Sequence, residues 1–218
     1  MKPSRRPYDI VKRSADVVFS AVLLVLLSPV LLVIALLVHL KLGSPVLFTQ
    51  LRPGRDGSLF RIYKFRSMLP APAGVDAVAA VDTDSQRLTR FGHVLRASSA
   101  DELPELYNVL RGDMSIVGPR PLLPEYLERY NDVQARRHEV RPGITGWAQV
   151  NGRNAAPWED RLAMDVFYVD NRSLRLDLRV LGMTIGTVLG RSGVSADGHA
   201  TVEPFDPHGE GGSHKEDS

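Results

Sequence analysis

From Val17 to Leu40 the chain is almost wholly apolar, interrupted by Ser20, Ser28, Pro29 and His39. A run of this length is what a membrane segment requires, and a 218-residue protein has little else with which to surround so uniform a helix. A cleaved signal peptide fits poorly, because the apolar region is too long and is followed by Lys41-Leu-Gly-Ser-Pro rather than a small-residue cleavage site. Ser28-Pro29 falls at the middle of the run. Proline deletes one helical hydrogen bond and bends the chain, and a neighbouring serine hydroxyl can occupy the carbonyl that is set free. Each half is then about 18 Å long, too short for the roughly 30 Å of a bilayer core.

Charge favours a re-entrant segment over a crossing one. Residues 1–66 carry eleven Lys/Arg against three Asp/Glu, with basic residues on both sides of the apolar run, so both flanks read as cytoplasmic. A kinked single span with a short external N-terminus stays open, since proline is common in spanning helices. Residues 67–190 are nearly balanced, and residues 191–218 hold two basic against six acidic residues in a Gly-, Ser- and His-rich context that predicts disorder. The domain reading is therefore a basic N-terminus and membrane helix over 1–44, a cytosolic domain over 45–190 and an acidic tail over 191–218. The overall net charge of +2 gives no reason to expect a nucleic-acid partner. There are no cysteines, which excludes disulfides, thiolate zinc sites and a cysteine nucleophile.

Within the cytosolic part, 45–50 and 59–68 read as two strands around Arg52-Pro-Gly-Arg-Asp-Gly, a β-hairpin. Its lysines and arginines would meet lipid headgroups, Lys64 and Arg66 excepted as candidates for a substrate phosphate. The Ala- and Pro-rich stretch 69–86 reads as a loop; its Asp82-Thr-Asp84 matches a metal-binding DxD pattern but lacks a preceding apolar strand. Residues 124–140 show one charged helical pattern with Tyr126, Leu127, Tyr130 and Val133 on its apolar side. A helix over 158–170 pairs Asp165 with Arg161, and 174–189 reads as a core helix or one lying in the bilayer interface. The fold class is thus α+β, mainly helical, with a small cytosolic domain carrying a β-hairpin and interfacial helices.

The chemistry concentrates between Arg96 and Pro121. Asp101 and Glu102 are adjacent carboxylates at the start of a short apolar-periodic helix through Leu103, Leu106, Val109 and Leu110 that ends near Gly112. The free N–H groups of a first turn suit phosphate. The same residues, as Ser98-x-x-Asp101 and Ser99-x-x-Glu102, also satisfy a capping-box pattern that needs no chemistry. Pro119-Arg120-Pro121 is a stiff, donor-poor turn that fixes an arginine able to grip phosphate. Further on, Arg141 to Arg153 is turn-rich, with amide side chains and Trp147, and suits a pocket wall for a polar ligand.

Five segments in this order, Lys64-Phe-Arg-Ser-Met68, Asp101-Glu-Leu-Pro-Glu-Leu, Gly112-Asp-Met-Ser-Ile-Val-Gly-Pro-Arg-Pro121, Arg141-Pro-Gly-Ile-Thr-Gly-Trp-Ala-Gln-Val-Asn-Gly-Arg153 and Asp165-Val-Phe-Tyr-Val, resemble the bacterial sugar transferase family, the monotopic polyprenyl-phosphate phosphoglycosyl transferases. The chain is similar to small members that consist of the catalytic unit alone, and Ser28-Pro29 matches the family's helix break. The resemblance implies transfer of a sugar 1-phosphate from a UDP-sugar to undecaprenyl phosphate with release of UMP, at the cytoplasmic face of the bacterial plasma membrane, as a first step of glycoconjugate or exopolysaccharide synthesis. It implies Asp101 as nucleophile, Glu102 as its partner, and Mg²⁺ held by Asp101 and Glu102. It implies substrate contacts from Lys64, Arg66, Arg96, Pro119, Arg120, Pro121, Arg141, Arg153, Asp165 and Asp177. Membrane lipids, downstream glycosyltransferases and a second copy of the chain are the further partners expected. Two other readings compete: a non-catalytic membrane tether, and a sugar-only glycosyltransferase that releases UDP and rests on Asp82-Thr-Asp84.

Overall fold

The computed structural model describes residues 7–70, 87–152, 156–189 and Phe205. The Asp82-Thr-Asp84 motif and Arg153 lie outside the described residues. The apolar run forms two helices, α1 (Pro7–Leu26) and α2 (Ser28–Leu42), bent by 64° at a break around Leu27. Among the described residues no single helix is long and apolar enough to cross a membrane; the bent pair meets that test only jointly. Pro29 has no N–H for the Val25 carbonyl four residues back, and the Ser28 hydroxyl donates to that carbonyl at 2.8 Å. The freed acceptor is satisfied inside the elbow, as the sequence predicts. Beyond the elbow, Leu32, Leu36 and Leu40 are exposed, whereas Val38 and Leu42 are buried against the rest of the chain.

The hairpin follows as β1 (Leu47–Pro53) and β2 (Leu59–Phe65), antiparallel with Leu47 opposite Phe65. Next comes α3 (Arg90–Ala97), capped by Thr89, whose side chain accepts from the Gly92 N–H. Asp101 and Glu102 then sit in a single 3₁₀ turn, Ala100–Glu102, and the regular helix α4 (Glu105–Arg111) begins only after Pro104. The alternative capping box at Ser98 or Ser99 does not form. Ser99 is left-handed (φ 56°) and caps nothing, while the Ser98 hydroxyl turns back to the carbonyls of Val94 and Leu95 and closes α3. Gly112, also at positive φ, ends α4 as predicted.

A second sheet, which the periodicity does not announce, is the parallel pair β3 (Ser115–Val117) and β4 (Gly143–Thr145). Each strand is three residues long, below the length at which alternation can be read. Here glycine is required by close approach: a Cβ on Gly118 would lie 2.4 Å from the Arg141 carbonyl oxygen, and one on Gly143 would lie 2.1 Å from the Gly118 nitrogen. The Gly143 N–H donates to the Pro119 carbonyl at 2.9 Å, so the two segments are locked where the Pro-Arg-Pro turn begins.

The single helix expected over 124–140 is three pieces: a 3₁₀ stretch Pro124–Arg129, α5 (Asp132–Ala135) and a 3₁₀ turn Arg136–Glu139. Asn131 breaks the run by capping α5 in a capping box with Gln134, which leaves Val133 exposed rather than buried. The chain continues through α6 (Trp147–Asn151), α7 (Trp158–Asn171) and α8 (Leu174–Leu189). α8 is mixed: Val180 is fully buried with Val117 and Tyr168, while Leu174, Leu178 and Ile185 stay exposed.

The polar half of α1 is fastened to this body. Asp16 is buried and accepts from the Ser115 hydroxyl at 2.8 Å and the Ile116 N–H at 3.2 Å. Asp177 accepts from Tyr8 and Lys12, each at 2.5 Å, and from Tyr168 at 2.7 Å. Arg172 donates to both oxygens of Asp9. The apolar half of α1 and all of α2 up to Val38 lack such ties among the described residues.

Candidate active site

Three elements converge on the carboxylate pair. β2 supplies Lys64, the turn after Gly118 supplies Arg120, and the 3₁₀ turn supplies Asp101 and Glu102. Their spacing is set by Asn108, fully buried on α4. Its side chain accepts from the Tyr63 N–H at 3.1 Å and donates to the Arg61 carbonyl at 2.8 Å, clamping α4 onto the edge of β2. Nothing in the sequence pattern singled out Asn108; an amide on the core side of an apolar helix was the available signal.

Both cations settle on Glu102: Lys64 Nζ lies 2.6 Å and Arg120 Nη2 2.8 Å from Oε1. Burial raises the Glu102 carboxyl, but Arg120 and Lys64 outweigh it and hold the group down at about 2. Asp101 is treated differently. It is 8% exposed, and among the described residues its carboxylate makes no hydrogen bond. Burial and the neighbouring Glu102 charge push it up to about 6, with Lys64, Arg96 and Arg120 pulling the other way. The pair thus divides into a permanent anion and a carboxylate poised to titrate near neutrality.

Glu105, which the sequence did not mark, is the third acid. It is 2% exposed, and its Oε1 lies 3.0 Å from Lys64 Nζ without making a well-directed hydrogen bond. Burial and Glu102 push it up to about 7. Arg96, on α3, donates to the Ser67 hydroxyl at 2.9 Å and belongs to the field felt by Asp101. Pro119 and Pro121 flank Arg120 beside a small hollow also lined by Arg137 and His138.

Other expected contacts are used elsewhere in the fold. Arg66 is buried and donates to the carbonyls of Leu42, Gly43 and Ser44, closing the end of α2. Arg141 donates to the Gly112 carbonyl at 2.9 Å, beyond the C-terminal end of α4, whereas the carboxylates lie before its N-terminal end. Asp177 anchors α1. Asp165 pairs with Arg137 at 2.7 Å, both buried, and not with Arg161, whose guanidinium lies over the Trp158 ring. Arg137 also donates to the Arg120 carbonyl at 2.6 Å, so Asp165 reaches the site only through the turn that Arg137 supports.

A magnesium ion takes one or two carboxylates and completes its shell with water and substrate phosphates. Among the described residues no three acids or histidines are grouped to cage a metal. The open carboxylate of Asp101 beside Glu102 is nonetheless a donor set of the kind that magnesium shares with a phosphate ligand.

Comparison with known proteins agrees with these motifs. The sequence profile of the family described as "Bacterial sugar transferase" matches residues 7–191. The chain is 49% identical over 201 residues to the uncharacterized sugar transferase EpsL of Bacillus subtilis (strain 168), covering 92% of this chain and 98% of that protein. It is 42% identical over 189 residues to the UDP-glucose:undecaprenyl-phosphate glucose-1-phosphate transferase of Caulobacter vibrioides, covering 83% of this chain and 70% of that one. It is 41% identical over 188 residues to the UDP-N-acetylgalactosamine-undecaprenyl-phosphate N-acetylgalactosaminephosphotransferase of Aeromonas hydrophila, covering 84% of this chain but 44% of the relative. The chain therefore spans less than half the length of the last.

Proposed function

Because the chain belongs to the bacterial sugar transferase family, we propose that it moves a sugar 1-phosphate from a UDP-sugar to undecaprenyl phosphate through a covalent aspartyl intermediate. The observation that carries this is the contrast inside the pair: Glu102 is neutralised by Lys64 and Arg120, while Asp101 is buried, open and held up at about 6. A carboxylate attacking phosphorus needs a lone pair not already engaged by cations, and cations close enough to accept the charge that develops.

An oxygen of ionised Asp101 attacks the sugar-bearing phosphorus of the donor. The bond from that phosphorus to the bridging diphosphate oxygen breaks, and UMP leaves with the electron pair. An oxygen of undecaprenyl phosphate then attacks the same phosphorus, expels the Asp101 carboxylate and leaves a diphosphate-linked sugar on the lipid. No net proton is consumed. Arg120 and Lys64, fixed by Glu102, present donors to the phosphate oxygens, and Arg96 adds charge from α3. Mg²⁺, held by Asp101 and Glu102 together with the donor phosphates, would neutralise charge between two approaching anions.

The elbow supports a membrane-seated reading. Its two arms, each bounded by basic segments, suit a re-entrant insertion from the cytoplasmic face, which brings a soluble nucleotide sugar and a lipid phosphate to one level. The test is UMP and UDP release from a panel of UDP-sugars by detergent-purified protein with undecaprenyl phosphate, with and without Mg²⁺, alongside Asp101→Asn. Magnesium-dependent UMP release that disappears in the variant is expected. Release of UDP, or UMP release indifferent to the substitution, overturns the reading.

A further inference from the structure

Phe205 lies in the acidic segment for which composition predicts disorder, yet it is 2% exposed and sits in a socket of aromatic rings. Its ring stacks on Tyr130 with centroids 5.8 Å apart, meets the edge of Tyr126 at 5.6 Å and lies 5.4 Å from Trp158. Its backbone is held on both sides: the N–H donates to the Tyr126 hydroxyl at 3.0 Å, and the carbonyl accepts from Arg129 Nη1 at 2.7 Å. A buried ring with both main-chain groups satisfied is an anchor rather than a grazing contact.

The socket is wired to the carboxylates. Arg137 lies over the Tyr130 ring at 5.7 Å, and its Nη1 donates to the Tyr130 hydroxyl at 3.4 Å. The other donors of this buried arginine go to Asp165 and to the Arg120 carbonyl. Arg120 in turn donates to Glu102. Phe205, Tyr130, Arg137, Arg120 and Glu102 thus form one contiguous chain of packed rings and directed bonds.

We propose that Phe205 is a positioning residue for Arg120. Docked in the socket, it fixes the Tyr130 ring and, through that ring, the plane of Arg137, which holds the Arg120 backbone so that its guanidinium meets Glu102 rather than sweeping solvent. Phe205 touches no reacting atom, and its effect rests on the reading of Arg120 and Glu102 as parts of the transferase site. An alanine at 205 leaves a void that Tyr130 is free to enter, and the error is passed along the chain to the guanidinium. Misaligned charge stabilisation lowers turnover more than donor affinity.

The experiment is a double-mutant cycle of Phe205→Ala with Arg120→Lys in the full chain, read in kcat and KM for UMP release. Phe205→Ala is expected to lower kcat about three- to thirty-fold with KM for the donor little changed. In the Arg120→Lys background the same substitution should cost less than about two-fold, because the group it aims is no longer there. A peptide of residues 200–210 added in trans should restore kcat to Phe205→Ala and alter tryptophan emission through Trp158, and a peptide with alanine in place of phenylalanine should do neither. Equal losses in both backgrounds, or a loss confined to melting temperature with kcat intact, overturn the proposal. The cycle is also run in melting temperature. If no donor gives turnover, the transferase reading fails alone, and coupling between positions 205 and 120 in melting temperature still supports the link while additivity refutes it.

Discussion

Two clusters of buried acids face opposite ends of α4, and they are built to opposite rules. Around the start of α1, every carboxylate is saturated: Asp177 takes Tyr8, Lys12 and Tyr168, Asp16 takes Ser115 and the Ile116 N–H, and Asp9 takes Arg172 twice. Before the other end, Arg120 goes to Glu102 and Lys64 lies between Glu102 and Glu105, while the carboxyls of Asp101 and Glu105 stay raised. Acids and cations are abundant in both places, so charge density does not distinguish a fastening from a reactive site. The distribution of partners does. Where every acceptor is filled the group fixes one geometry; where one is withheld, it stores reactivity that folding must tolerate.

The largest test of this contrast is Asp101→Asn. Turnover should fall at least about 10³-fold, while stability at pH 8 should rise. A carboxyl whose folded pKa of about 6 exceeds its unfolded value binds more protons in the native state, so ionising it costs stability as pH climbs through that window. The gain on substitution, on the order of 1–2 kcal/mol at pH 8, should vanish near pH 4. Thermal melts across pH check it, and a variant less stable at pH 8 would break the comparison.

A second effect follows from the same group in the active protein. With the ionised form as nucleophile, kcat/KM should drop about ten-fold between pH 7 and pH 5, traced by steady-state rates in constant ionic strength. An acid limb well below pH 5 would mean that Asp101 is better satisfied in solution than its surroundings imply.

Asp177→Asn should show the reverse signature. Removing the anion strands Lys12 and weakens three bonds at once, so folding should lose about 2–4 kcal/mol, with turnover per folded molecule largely kept. Calorimetry beside active-site titration decides; a lost kcat at unchanged stability would return Asp177 to the substrate contacts that family resemblance implies. Glu105→Gln is the smallest. It should leave turnover within about three-fold and add roughly 1 kcal/mol at pH 8 but none at pH 4, by the same sign as Asp101.

What the sequence made legible was local. The elbow at Ser28-Pro29, the hairpin around residues 54–58 and the stop at Gly112 each follow from one or two residues with a fixed backbone preference. The paired carboxylates with Arg120 were legible as well, because the turn that holds the arginine is spelled out by its prolines. Partner choice across the fold was not. Asp165 had an arginine one helical turn away and took Arg137 from another element instead, since burial rewards the arginine that can also reach the Arg120 carbonyl. Arg66 and Arg141 looked like phosphate ligands, but backbone carbonyls at helix ends are equally good acceptors and already in place. Phe205 was hidden because a lone aromatic in an acidic, glycine-rich stretch has no period to reveal it.

The placement of Lys64 and Arg66 has one more consequence. They stand two residues apart, and the Arg66 N–H extends the β1–β2 ladder by donating to the Val46 carbonyl at 2.9 Å. One strand therefore grips Glu102 with one side chain and the end of α2 with the next on the same face, about 7 Å further along. In the function proposed, β2 acts as a ruler between an elbow seated in lipid and the carboxylates that react. A phosphate carried on a membrane lipid would then be measured by depth before it is recognised by shape, and a one-residue insertion in β2 would change the height at which the protein can accept it.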